Sequence, residues 1–224
     1  MNKRIVISLI IVVIATLLFW VSKSIQDEFY LIVAMFNNLA EQNILLTVLI
    51  FLSVAAFAAL ISPFTNVPLI PVAVAIWGII PTTILLLIGW LSGDIITYII
   101  GRYLGYPVIR YLIVSTERFD NWVNLVRDRT SFLKALTLRM ALPAELGYVF
   151  GLIKYKFSTY FLITFLSELP LAIIFTYASQ SILTGDIPQF FGFIGLLCII
   201  LFGTYELIHQ KKKHRKDLEE STEF

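Results

Sequence analysis

The stretch LRMALPAELGYVFG, Leu138 to Gly151, decides how this chain is read. Arg139 and Glu145 stand in it among Leu, Met, Ala, Val and Phe, and the nearest other basic residues are Lys134 before it and Lys154 after it. A charge in hydrocarbon costs several kcal/mol unless it is paired or reaches water. Pro143, Gly147 and Gly151 are helix breakers in a segment where membrane depth otherwise demands a helix. A segment both charged and broken is tolerated only where it is buried in protein or lines a wet cavity, and such cavities are where transporters hold their cargo.

The surrounding composition is that of an integral membrane protein. Hydrophobic residues make up 58% of the 224 residues and the mean hydropathy is +0.86, against about 45–50% apolar residues in soluble domains. The single cysteine, Cys198, lies in an apolar run and rules out an internal disulfide or a cysteine-based zinc cluster. Both histidines, His209 and His214, lie close to the C-terminal end, which argues against a buried histidine metal site and against acid–base enzyme chemistry. No HExxH helix, activated serine or pair of catalytic aspartates is present. The expectation is therefore a protein that is not an enzyme, with no cofactor, no metal and no nucleic-acid partner.

Working outward, five apolar stretches approach the roughly 20 residues a helix needs to cross a bilayer. They are Ile5–Val21, Ile44–Ile61, Thr82–Ile100, Phe157–Leu183 and Ile187–Ile208. The first follows Lys3 and Arg4 and has signal-peptide character, but it is long and no small-residue cleavage site follows, so it reads as a retained span. Two further pieces, Ser62–Pro81 and Leu136–Ile153, are apolar but broken. Asp27–Gln42 is mildly amphipathic, and Tyr103–Lys134 mixes aromatics with charges as interfacial helices do.

Charge bias orients these pieces. Lys3 and Arg4, the tail residues Lys211, Lys212, Lys213, Arg215 and Lys216, and the central Arg102, Arg110, Arg118, Arg127 and Arg129 all belong inside; the acidic Lys23–Gln42 segment belongs outside. Five simple spans would put the basic centre on the wrong face. The conflict disappears if Ile44–Pro81 is a re-entrant hairpin turning near Pro63, Pro68 and Pro71, and Leu136–Ile153 a second one entering from the other side. The predicted fold is all-α: about four transmembrane helices plus two opposed re-entrant hairpins, an inverted repeat with its site at the midplane. Residues 1–43 form a first span and interfacial segment, 44–185 the membrane core, and 186–224 a last span and basic tail.

The charged residues inside this core carry the chemistry. Asp94, Tyr98 and Arg102 share one helix face at four-residue spacing, and Gly89, Gly93, Gly101 and Gly105 form a close-packing groove that suits internal packing or a homo-oligomer. Arg139 is either a structural ion pair with Asp94, Glu145 or Glu168, or an anchor for the phosphate of a lipid head group, which its planar fork suits. Asp94, Glu145 and Glu168 are candidates for charge pairing or for taking and releasing a proton; Glu168 directly precedes Leu169 and the kinking Pro170 in a span. Arg102, near the membrane edge, snorkels or binds lipid phosphate.

These residues resemble the DedA family, also called VTT-domain or SNARE-associated Golgi membrane proteins. Three stretches carry the resemblance over roughly residues 44–185: the proline-rich segment from Pro63 to Gly78, LSGDIITYIIGRYLGYPVI, and LRMALPAELGYVFGLIKYKFSTYF. The resemblance implies opposed re-entrant hairpins and movement of phospholipids or polyprenyl-phosphate carriers, with Arg139 and Arg102 as head-group residues and Asp94 as an acid of the site. The Ser62–Gly78 stretch departs from many bacterial members in holding no acid. The combined expectation is a lipid flippase or scramblase, possible proton coupling included, whose partners are anionic membrane lipids. Its place is the plasma membrane, with both termini cytoplasmic. The alternative is a non-transporting scaffold that supports membrane homeostasis.

Overall fold

The computed structural model describes residues 23–60, 66–112, 123, 126, 132–141 and 146–203. The predicted first span Ile5–Val21, together with Pro63, Pro143 and Glu145, lies outside these residues. Every element among them is an α-helix. The chain divides into two units, residues 1–47 and 48–224.

In the first unit, α1 (Lys23–Gln42) is followed by Asn43 at the start of α2 (Ile44–Leu60). The Leu46 amide donates to Asn43 Oδ1 at 3.0 Å, satisfying one of the orphan donors of the helix start.

The second unit holds the rest of α2 and the core. α3 (Leu69–Trp77) begins at Pro68, and Pro71 is its third residue. Both prolines therefore sit where a helix has no internal partner for their missing N–H, so they start α3 rather than interrupt it. Gly78 ends α3 at φ 80° and ψ 177°, a conformation essentially reserved for glycine, and α4 (Ile79–Tyr103) starts immediately after it. α5 (Gly105–Leu112) and α6 (Phe132–Ala141) follow, then α7 (Leu146–Leu152), α8 (Phe157–Thr184) and α9 (Ile187–Gly203).

Contacts fix the directions. A Cβ on Gly89 would press on Ala55, and one on Gly93 on the Ala56 carbonyl and Ala59, so α2 and α4 run the same way at very close range. Phe51 meets Trp77 edge-on at 5.5 Å, which places α3 running back along α2. α8 is antiparallel to α4: Phe157 lies against Tyr98, Tyr160 bonds at Asp94, and Thr176 bonds Thr83. α4 and α8 are each long and apolar enough to cross a membrane; 25 and 28 residues rise about 37 and 42 Å against a hydrocarbon core of about 30 Å. Ile80, Ile84 and Ile88 form an outward apolar stripe on α4, 50–72% exposed, which suits lipid rather than water.

Gly147 and Gly151 correct one expectation. They do not break the chain; both lie inside α7, buried. A Cβ on Gly147 would strike Thr97 and one on Gly151 the backbone of Tyr98, and one on Gly101 of α4 would strike the Tyr148 carbonyl. The glycines are there so that α7 can lie backbone to backbone on α4. The turn after α7 is made instead by Lys154 at φ 56°, a left-handed position with a non-glycine residue.

Candidate functional site

α4, α6 and α8 bring three charged residues to one point. α4 buries a face that includes Leu86, Trp90, Asp94 and Tyr98, which puts Asp94 near the middle of a membrane-length helix. Arg139 is in the last turn of α6, and Glu168 lies within α8, two residues before Pro170. Arg139 Nη2 donates to Asp94 Oδ2 at 2.6 Å and to Glu168 Oε1 at 2.7 Å. The three residues are 5%, 0% and 9% exposed, so the group is buried as a whole.

Of the three partners the sequence offered for Arg139, the structure joins Asp94 and Glu168 to it; Glu145 lies outside the described residues. With every member ionised, two carboxylates against one guanidinium leave one uncompensated negative charge. In a low-dielectric interior such a charge is expensive, so the triad is a place where a proton or a positive group is held. One guanidinium nitrogen serves both acids, which leaves Arg139 Nε and Asp94 Oδ1 without a hydrogen-bond partner among the described residues.

Hydroxyls surround the triad. Tyr160 Oη donates to the Asp94 carbonyl at 2.9 Å and Thr97 Oγ1 to the same oxygen at 2.8 Å. One turn away, Trp90 Nε1 donates to Asn66 Oδ1 at 3.1 Å. Asn66, Tyr160 and Thr164 are not among the candidate residues of the sequence analysis. The signal was present: Tyr160, Thr164 and Glu168 recur every four residues on one face of an otherwise apolar helix.

Arg102 belongs elsewhere. Eight residues past Asp94, it is about 12 Å further along α4. Its Nη1 donates to Tyr98 Oη at 2.6 Å, its guanidinium lies 5.8 Å from the Tyr98 ring centre, and the Tyr98 hydroxyl in turn donates to the Tyr155 carbonyl. Arg102 is exposed, so Arg102 and Arg139 mark two levels of one seam rather than one site. Among the described residues, no group of three His, Cys, Asp or Glu side chains is placed to hold a metal ion.

The VTT domain family matches residues 64–181, more than half of the chain, and Asp94, Arg139 and Glu168 all fall inside the match. No curated protein and no solved structure matches the chain.

Proposed function

Because the chain belongs to the VTT-domain family, that of the DedA and SNARE-associated Golgi membrane proteins, we propose that it moves a phospholipid or polyprenyl-phosphate lipid between the leaflets of its membrane. The observation that carries this reading is Arg139, held between Asp94 and Glu168 where short helices meet the two membrane-length helices. A guanidinium kept at such depth suits the transient capture of a phosphate. Protonation of Asp94 or Glu168 removes one charge from the triad and frees part of the guanidinium for the head group; departure of the lipid lets the triad re-form. Arg102 at the exposed end of α4 meets the head group first. The α2–α3 and α6–α7 pairs are re-entrant hairpins in this scheme, beside about four spans, with the termini cytoplasmic and the plasma membrane as the site of action.

A second reading has its own support. The triad ties α4, α6 and α8 together and is closed, which also suits a scaffold that moves nothing. Purified protein in vesicles separates the two. Labelled lipid that changes leaflet with wild type and stays put with Arg139→Ala and Arg139→Lys supports transport; lipid that never moves with any of them supports the scaffold.

A further inference from the structure

Four buried polar atoms on or near the triad have no partner among the described residues: Asp94 Oδ1, Arg139 Nε, Thr164 Oγ1 and Asn66 Nδ2. Their residues are buried, 0–5% exposed. An unpaired polar atom in such a place costs about 1–3 kcal/mol, so two on the triad, a third one turn along α8 from Glu168 and a fourth on the residue that bonds Trp90 call for a ligand. Their chemistry is mixed. Asp94 Oδ1 accepts, Arg139 Nε and Asn66 Nδ2 donate, and the Thr164 hydroxyl does both. A cation would leave the donors unmet and an anion would face the free carboxylate oxygen. Water both donates and accepts, and it satisfies all four.

The two flanks of the triad differ. Towards Arg102, the buried positions carry hydroxyls: Thr97 and Tyr98 on α4, Tyr160 and Thr164 on α8. The Tyr98 and Tyr160 rings stack at 4.8 Å, and Tyr98 ends at the exposed Arg102. In the other direction, past the Trp90–Asn66 hydrogen bond, lie Leu86, Ala172 and Ile70, each 0% exposed, before the Thr83–Thr176 pair at 2.8 Å and the Thr82 hydroxyl, unpartnered among the described residues.

We infer that the triad is a hydrated site, its buried water supplied along the hydroxyl-lined flank from the Arg102 end and sealed from the Thr83–Thr176 end by the layer of Leu86, Ile70 and Ala172. Water reaching Asp94 and Glu168 from one face gives those carboxyls contact with one side of the membrane in this conformation. The inference needs α4 and α8 to lie in the membrane, but not that lipid moves.

Radiolytic hydroxyl-radical footprinting in lipid nanodiscs tests it, because radicals formed from bound water oxidise the side chains next to that water. Rates are normalised to those of the unfolded chain. Tyr98, Tyr160, Leu86 and Phe51 are all 0–2% exposed, so burial alone predicts equal protection. The hydrated site predicts several-fold faster oxidation at Tyr160 and Tyr98 than at Leu86 and Phe51; equal protection at all four, or faster oxidation at Leu86, overturns it. Leu86→Ser then raises oxidation of Phe51 if the layer is the seal, and protection of Phe51 that survives in the folded variant refutes the seal. Neither readout depends on lipid movement, so failure here is separable from failure of the transport reading.

Discussion

Arg139→Ala removes the guanidinium that bonds both Asp94 and Glu168 and leaves two buried acids facing each other. Deleting one member of a buried ionic group costs about 3–5 kcal/mol, because the remaining charge keeps its desolvation penalty and loses its compensation. For a chain of this size about 1 kcal/mol moves the midpoint by roughly 2–4 °C, so the expected fall in Tm is roughly 6–20 °C. The same physics makes a second, opposite demand. Replacing the whole group with apolar residues of similar volume, Arg139→Met with Asp94→Val and Glu168→Leu, removes the charges as well as their pairing and recovers most of the loss. Thermal unfolding of the purified proteins in one detergent, followed by tryptophan fluorescence, reads both; Trp90 lies one turn from Asp94 and reports directly. A single variant within about 2 °C of wild type, or a triple variant no more stable than the single one, refutes the account of the triad.

Three further substitutions probe how the site is positioned. Gly101→Ala drives a Cβ into the Tyr148 backbone and should destabilise by about 1–3 kcal/mol in denaturant or thermal unfolding, since neither helix backbone can yield cheaply. Gly78→Ala should cost about 1–3 kcal/mol although nothing lies within 4 Å of the new methyl, because the φ and ψ there exclude a side chain; an unchanged midpoint contradicts the break between α3 and α4. Trp90→Phe keeps most of the packing but deprives Asn66 of its donor, and a loss of about 1–3 kcal/mol that Asn66→Leu partly relieves in the double variant is the expected pattern in the same unfolding experiment.

Much of this arrangement was legible in the residues. Charged side chains deep in an apolar chain must find partners, so Asp94 and Glu168 were foreseeable as the acids of Arg139. The turn expected near Pro68 and Pro71 is followed directly by α3, whose start holds both prolines, a place that favours proline. Glycine was harder. The same residue type serves as a breaker or as a contact, and only the approach of α7 to α4 shows that Gly147 and Gly151 are contacts. Lys154 gave no warning of its left-handed backbone, since a turn of that kind is normally announced by glycine. Thr164 was overlooked because a threonine hydroxyl in an apolar helix most often bonds its own backbone, and Tyr160 because a tyrosine in an apolar helix reads as packing; what sets Tyr160 apart is that α4 faces it with the Asp94 carbonyl.

The central claim is tested most directly by reconstituting the purified wild-type protein into sealed vesicles that carry a labelled phospholipid and a labelled polyprenyl phosphate, and following the loss of each from the outer leaflet against protein-free vesicles. The account predicts that at least one of the two crosses faster with the protein present and that Arg139→Lys, which keeps the charge but not the fork, abolishes the gain. Rates equal to those of protein-free vesicles for both lipids would contradict it.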